Sequence, residues 1–492
     1  MKKIIKYVGV IALGNILIKM LGFIREVAIS YKFGASPITD AYLVAFTIPL
    51  ILFQFLGVGY ATSIIKVLSS LEEKVQEKRV FISRVFSYTL LTSILLLFLG
   101  LVFSKPIVKI FSPGLEPQTI ELASELLRLS MPMVISSMII AISSGILQYS
   151  NKFAIDVWSN LPNNLIIIIS IVCFSGIGGI YAVTLSTVIG SLTILLIQLP
   201  FSLKYGLNLR LDFKVDENLN KFVKILIPAT LLSMVQMIGA LINRFIASFM
   251  ENGSISILYF ADRLYNLPYL VVVMAITTVF FPKLVSLFNN NELAKFKIYV
   301  AGLFKVIIIL MTSIAIVMFV LRQELVEIVY QRGSFSKEAV SLTATCFGIY
   351  SLGIIFLSLR ELFIKIYFCL NDTKILLMNS LYMFLLNLIL GIVLSYFYGI
   401  YGLAASTPLS VLISSLYLYK NLKMSGYLNV NKFFLIKYLM ISCITFVVAK
   451  VFLEIFYRYT DNLLLIVTVI SFIVISIYGS LIWIFRLIPK FK

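Results

Sequence analysis

Apolar runs of about 20 residues recur along the whole chain with short polar connections between them, and each is long enough to cross a bilayer as a helix. Such windows begin near Ile4, Asp40, Arg84, Thr119, Ala154, Gly179, Phe222, Ser256, Val300, Val340, Ile375, Gly399, Phe433 and Leu463, about fourteen in all. In hydrocarbon a segment must satisfy its own backbone hydrogen bonds. The expected fold class is therefore all-α, a polytopic membrane protein of about fourteen transmembrane helices. Hydrophobic residues fill 60% of the 492 positions and charged residues 13%, with mean hydropathy +1.03, as befits a chain whose solvent is lipid.

The chain also repeats itself. Shifting Ile24–Pro49 by 219 positions without a gap places Arg25 on Arg244, Ala28 on Ala247, Gly34 on Gly253 and Pro49 on Pro268. Independently, GIYAVTLST from Gly179 matches GIYGLAAST from Gly399 at a spacing of 220, with Asn151 on Asn371 in the same register. Six helices per copy keep both copies in one orientation, which implies two pseudo-symmetric six-helix lobes with a substrate cavity between them. The expected organisation is an N-lobe at 1–205, a C-lobe at 206–423 that includes a polar linker, and two further helices at 424–492 that pack beside one half. Pro49, Pro162, Pro228, Pro268 and Pro408 lie within or at the ends of spans, where proline frees a carbonyl and bends the helix; static kinks and moving hinges both fit.

A net charge of +19 would suit nucleic acid, but the basic residues sort by loop and form no stripe with interleaved aromatics. Connections on the side of the N-terminus hold about two dozen Lys and Arg, among them Lys74, Lys78, Arg79, Lys204, Arg210, Lys214, Lys295 and Lys423, and the opposite side fewer than about ten. Both termini are thus expected in the cytoplasm, beside anionic lipid headgroups. Lys2, Lys3 and Lys6 imitate a signal peptide, yet no small-residue cleavage site follows, so the segment reads as a retained first helix. Cys173, Cys346, Cys369 and Cys443 stand singly and histidine is absent, which leaves no His metal site and no His proton relay. With no P-loop spacing and no nucleophile–base–acid set, no cofactor is expected, and energy must come from an ion gradient, the membrane potential or the substrate gradient.

Ionisable groups at membrane depth cost on the order of 3 kcal/mol each, so every one needs a reason. The first half offers Lys19, Arg25, Glu26 and Asp40; the second offers Arg244, Asp262, Arg263, Arg360, Glu361 and Lys365. Arg25 and Glu26 are neighbours and point in different directions on a helix, so Glu26 is not expected to cancel Arg25. Arg25, Arg244 and Arg263 are candidates to face one central space, where guanidinium forks suit the oxygens of a phosphate-bearing substrate. The competing reading is that all three snorkel to the interface. Asp262 beside Arg263, and Glu361 four residues before Lys365, read first as internal compensation. An amide-rich set, Asn160, Asn163, Asn164, Gln236, Asn243, Asn387, Ser406 and Thr407, suits either a small cation or interhelical hydrogen bonds.

The motifs LGFIREVAISYKFGASPITDAYLVAFTIP from Leu21, SGILQYSNKFAI from Ser144, GSISILYFADRLYNLP from Gly253 and YQRGSFS from Tyr330 resemble the MurJ (MviN) family of lipid II flippases, within the superfamily of multidrug and polysaccharide exporters. The resemblance implies a V-shaped transporter whose lobes alternate access to move undecaprenyl-pyrophosphate-linked peptidoglycan precursor outward across the bacterial inner membrane, functioning as a monomer. It also implies a groove for the lipid tail on the last two helices. The family's cavity cations fall on Lys19, Arg25 and Arg263, and its acids on Glu26 and Asp40. Lys19 stands where the family usually has arginine, Phe53 where it has a further helix 2 arginine, and Asn243 and Asn266 where relatives carry acids. A flippase of another polyprenyl-linked oligosaccharide is the alternative, followed by a cation-coupled multidrug exporter, which would need acids rather than arginines in its cavity. A membrane-embedded glycosyltransferase would need a catalytic carboxylate or metal on a sizeable outer loop, and no loop is long enough.

Overall fold

The computed structural model describes residues 2–71, 74–370 and 372–487, with side chains described except at 2–8, 11–12, 52–56, 58, 231–240, 274–275, 278–279 and 373. Among these there are helices and no strands. In chain order they are α1 (Lys2–Phe33), α2 (Pro37–Ser70), α3 (Val75–Val102), α4 (Ser104–Phe111), α5 (Pro117–Ser130), α6 (Met133–Tyr149), α7 (Phe153–Trp158), α8 (Leu161–Cys173), α9 (Ser175–Lys204), α10 (Glu217–Ala247), α11 (Ser254–Asn289), α12 (Leu293–Val320), α13 (Arg322–Tyr330), α14 (Lys337–Cys369), α15 (Thr373–Met424), α16 (Lys432–Tyr457) and α17 (Leu463–Ile484).

Local chemistry sets the boundaries. Ser36 caps α2 by accepting from the Thr39 amide, with Pro37 in the first turn where its missing N–H costs nothing. Asp216 caps α10 and Ser336 caps α14 in the same way. By length and apolarity, eight spans among the described residues qualify to cross a membrane. The pair α5–α6, bent by 46° at the Met131–Pro132 break, makes a ninth.

The duplication is visible in the backbone. Gly179 in α9 has φ 55° and ψ −140°, and Gly399 in α15 has φ 55° and ψ −135°. Side-chain-bearing residues rarely adopt that conformation, which explains why glycine opens both GIY motifs. At Gly399 the 52 residues of α15 break into two limbs with no loop between them. Gly34 and Gly253, partners at the other matched block, likewise both have positive φ. Asn151 has a φ of 57°, whereas its counterpart Asn371 lies outside the described residues.

Packing divides the chain into two compact units, Met1–Ser256 and Ile257–Lys492. In the first, α2 is the central helix, packed by α5, α6 and α10, while α1 lies on α7 and α8. Residues Ala41 to Ala45 on α2 are almost fully buried, as expected of a helix apolar on every side. In the second, α14 is central, packed by α12, α13 and α15, and α16 and α17 pair with each other and rest on α12. The boundary leaves α10, the opening helix of the second sequence repeat, in the first unit.

The irregular linker 207–216 is strapped along α3. The Ser87 hydroxyl accepts from the Asp212 amide at 2.7 Å, Tyr88 donates to the Phe213 carbonyl at 2.7 Å, and Arg84 Nε donates to Asp212 at 2.9 Å. The Lys214 amide and the Arg84 guanidinium hold the Asp212 carboxyl below its usual range.

Candidate substrate-binding site

Six of the candidate residues belong to the first unit, Lys19, Arg25, Glu26, Asp40, Asn243 and Arg244, and four to the second, Asp262, Arg263, Asn387 and Thr407. Arg25 and Glu26 form an ion pair, Nη2 to Oε1 at 2.6 Å, with Glu26 buried. This corrects the sequence-based expectation that neighbours on a helix stay apart. Their Cβ atoms do diverge, but an arginine stem is long enough to bring its fork back around to the adjacent carboxylate. Arg25 Nη1 also donates to Asn164 Oδ1 on α8, at 3.4 Å. The guanidinium is thereby oriented by two helices. Lys19 sits less than two turns earlier on α1, half-buried.

Arg244, in the matching register of the repeat, has a different environment: its Nη1 donates to the Leu43 carbonyl on α2 at 3.4 Å. Asn243 beside it is half-buried. Asp40 is almost fully buried and accepts from the backbone amides of Gly253 (2.7 Å) and Ser256 (2.8 Å) and from the Ser256 hydroxyl. A carboxylate there serves the unpaired amides at the start of α11. Gly253 has φ 88°, and a Cβ at that position would stand 2.9 Å from the Ala35 carbonyl oxygen, so the turn requires glycine.

In the second unit Arg263 is exposed and its guanidinium lies over the Tyr259 ring, 4.7 Å from the centroid. Asp262 accepts from the Asn266 side-chain amide at 2.8 Å. The Asn387 carbonyl accepts from Ser406 (3.2 Å) and Thr407 (3.4 Å), joining the two limbs of α15 across the Gly399 break. The side chains of Phe53 and Gln236 lie outside the described set.

One polar centre escaped the sequence reading. Asp156 on α7 accepts from Ser144 and from Gln148 Nε2 (2.9 Å) on α6 and from Gln198 Nε2 (3.3 Å) on α9, and Gln198 is fully buried. The sequence did carry a signal: Asp156 is an ionisable residue near the start of an apolar run, and Ser144 and Gln148 are four apart on one face of α6.

A family model described as lipid II flippase MurJ matches residues 29–476. The chain belongs to the MurJ family. Among its relatives, a probable lipid II flippase MurJ of Buchnera aphidicola subsp. Acyrthosiphon pisum is 28% identical over 448 residues, covering 89% of this chain and 88% of the relative. One from Aquifex aeolicus is 27% identical over 448 residues, covering 88% and 85%. A solved structure of a lipid II flippase MurJ in an inward closed conformation superposes with a TM-score of 0.84 at 25% identity, covering 97% of this chain and 98% of the other. An inward-facing multidrug transporter of the MATE family shares the fold, with a TM-score of 0.69 at 11% identity and coverage of 83% and 95%. The MurJ-family chain is thus a multi-pass helical membrane protein with a transporter fold.

Proposed function

We propose that this protein is the flippase of lipid II, carrying the polyprenyl-pyrophosphate-linked peptidoglycan precursor from the cytoplasmic to the outer leaflet of the bacterial inner membrane by alternating access. The observation that carries the reading is the family match over residues 29–476, joined to a full-length likeness to a MurJ structure. In this reading the protein is a carrier rather than an enzyme, acts as a monomer, and has both termini in the cytoplasm, the side of the more basic connections.

The lobes are assigned as 1–205 and 206–423, with 424–492 as an accessory pair. Arg25, Arg263 and Lys19 engage the pyrophosphate, and Arg244 extends the set through the repeat. A phosphate oxygen competes for Arg25 with Glu26 and Asn164, so the fork is already oriented when cargo arrives. Glu26, Asp40 and Asp262 are the supporting acids. Asn243, Asn387 and Thr407 make a secondary polar set for a coupling cation, and the Asn387 carbonyl already gathers two hydroxyls.

Lys19 favours one second reading: a point charge where the family has a fork loosens phosphate recognition and suits a different polyprenyl-linked glycan. A single experiment separates the two. The gene is expressed in a bacterium depleted of its own lipid II flippase, and lipid II in the outer leaflet is measured. Growth with lipid II exposure is the expected result. Membrane insertion without lipid II exposure overturns the assignment.

A further inference from the structure

The second unit holds a cavity of about 410 Å³ between α11 and α14, within the size range of small-molecule sites, about 300–1,000 Å³. Its walls are largely apolar, with Leu270, Val273, Phe281 and Pro282 contributed by α11. Among the described residues that line it, the charged ones are Glu361 and Lys365, one turn apart on α14. Their separation is 3.4 Å, longer than the 2.7–2.9 Å of a tight charge-assisted bond, and their side chains keep 27% and 34% exposure. A purely structural pair in a membrane bundle gains most when it closes on itself and excludes its surroundings. This one is loose and opens into a cavity.

The surrounding groups bear on the pair as well, and Arg360, next to Glu361 in the chain, interacts with it electrostatically. Tyr269 reaches the Glu361 carboxylate from the opposite helix, and the Lys365 ammonium lies 6.0 Å from the Phe281 ring centroid. The neighbouring Arg360 donates through Nε to Ser414 Oγ at 3.0 Å. A ligand with one charge would satisfy one member of the pair and oppose the other at a few ångströms. A ligand with both charges satisfies both, its ammonium at Glu361 and its carboxylate at Lys365, while its aliphatic part lies against Val273, Phe281 and Pro282.

We infer that this cavity is a second recognition site, selective for a zwitterionic amino-acid group, as a peptide portion of the cargo presents where it carries both a free amine and a free carboxylate, and separate from the arginines assigned to pyrophosphate. It rests on the flippase reading for the identity of the cargo, and on the cavity alone for the chemistry of the ligand. The site gives the carrier a means to favour precursor that already bears its peptide.

The test has two arms on the full-length protein in lipid nanodiscs or proteoliposomes. In the first, the zwitterionic dipeptide alanyl-alanine is the probe, compared by saturation-transfer NMR with its N-acetylated and its C-amidated forms. Each blocked form, and each of the variants Glu361→Gln and Lys365→Met, binds at least about tenfold more weakly than the pair of free dipeptide and wild-type protein. The exchange Glu361→Lys with Lys365→Glu, which keeps an ion pair for folding, retains more binding than either single variant. Equal binding of blocked and free dipeptide, or of the single variants and wild type, overturns the site. In the second arm, transport of polyprenyl-pyrophosphate disaccharide with and without its peptide is compared, and Glu361→Gln lowers the preference for peptide-bearing cargo by about tenfold. Equal loss on both cargoes also overturns it, because it marks a structural pair. Dipeptide binding without transport of either cargo refutes the flippase reading and leaves the cavity's chemistry standing.

Discussion

Arg25 and Arg244 stand 219 positions apart in the same register of a duplicated motif, yet the first meets a buried carboxylate at 2.6 Å and the second a backbone carbonyl at 3.4 Å. Their sequence neighbours explain the contrast: Glu26 follows Arg25, whereas Phe245 follows Arg244. The guanidinium of Arg25 is held by an anion and an amide, and in the proposed function a phosphate competes with both. That of Arg244, at the carbonyl of a neighbouring helix, ties α10 to α2. Duplication preserved the position of the charge while substitutions around it changed what the charge touches.

The largest effect expected from this comparison lies at Arg25. Arg25→Ala removes the guanidinium from a buried carboxylate, a kind of loss worth about 3–5 kcal/mol of stability, so the single variant confounds folding with function. The informative protein is Arg25→Ala combined with Glu26→Gln, which removes both charges. It is expected to insert and melt near the wild-type temperature while lipid II exposure falls on the order of a hundredfold, since losing a desolvated charged contact costs about 2–5 kcal/mol. Normal lipid II exposure in the double variant would remove Arg25 from the pyrophosphate site.

A smaller effect separates Asp40 from the arginines. Asp40 has backbone amides and a hydroxyl as partners, which is the environment of a helix cap. In Asp40→Asn one carboxylate oxygen becomes an NH2 group, which turns a donor toward a buried amide. The expected cost is about 1–3 kcal/mol of stability, read as a lower melting temperature, with cargo affinity in the surviving folded protein unchanged. A loss of cargo affinity at unchanged melting temperature would make Asp40 a ligand of the cargo.

These contacts also show what a sequence can reveal here. Helix positions and the duplication were legible because hydrophobicity is written in consecutive residues and the matched blocks keep one spacing, and the φ shared by Gly179 and Gly399 gives that match a backbone reason. The charged candidates were legible as an inventory because ionisable groups in apolar runs are few. Their partners were not. The Arg25–Glu26 pair defeats an argument from Cβ directions because the arginine stem turns back, and Asp40 meets Gly253 across 213 positions. Asp156 was left out of that inventory because it lies at the polar start of its apolar run, and its partner Gln198, 42 residues away, was not legible either. Side-chain length and tertiary contact carry that information, and neither has a period.

The smallest expected change is at Arg244, and it tests whether register or environment decides function. If environment decides, Arg244→Ala loses, among its contacts, the hydrogen bond to the Leu43 carbonyl, a bond from a charged donor that is worth about 1.5–3 kcal/mol when well formed and less at 3.4 Å, and lipid II exposure falls no more than the lowered amount of folded protein accounts for. Arg244→Lys, which keeps the charge and a donor, then recovers most of the melting temperature. If register decides, Arg244→Ala abolishes transport as fully as the Arg25 double variant does, at nearly unchanged stability, and the guanidinium must leave Leu43 for the cargo during the cycle. The ratio of transport to folded protein in these variants therefore distinguishes an anchor from a ligand, because an anchor lowers both quantities together and a ligand lowers only the first.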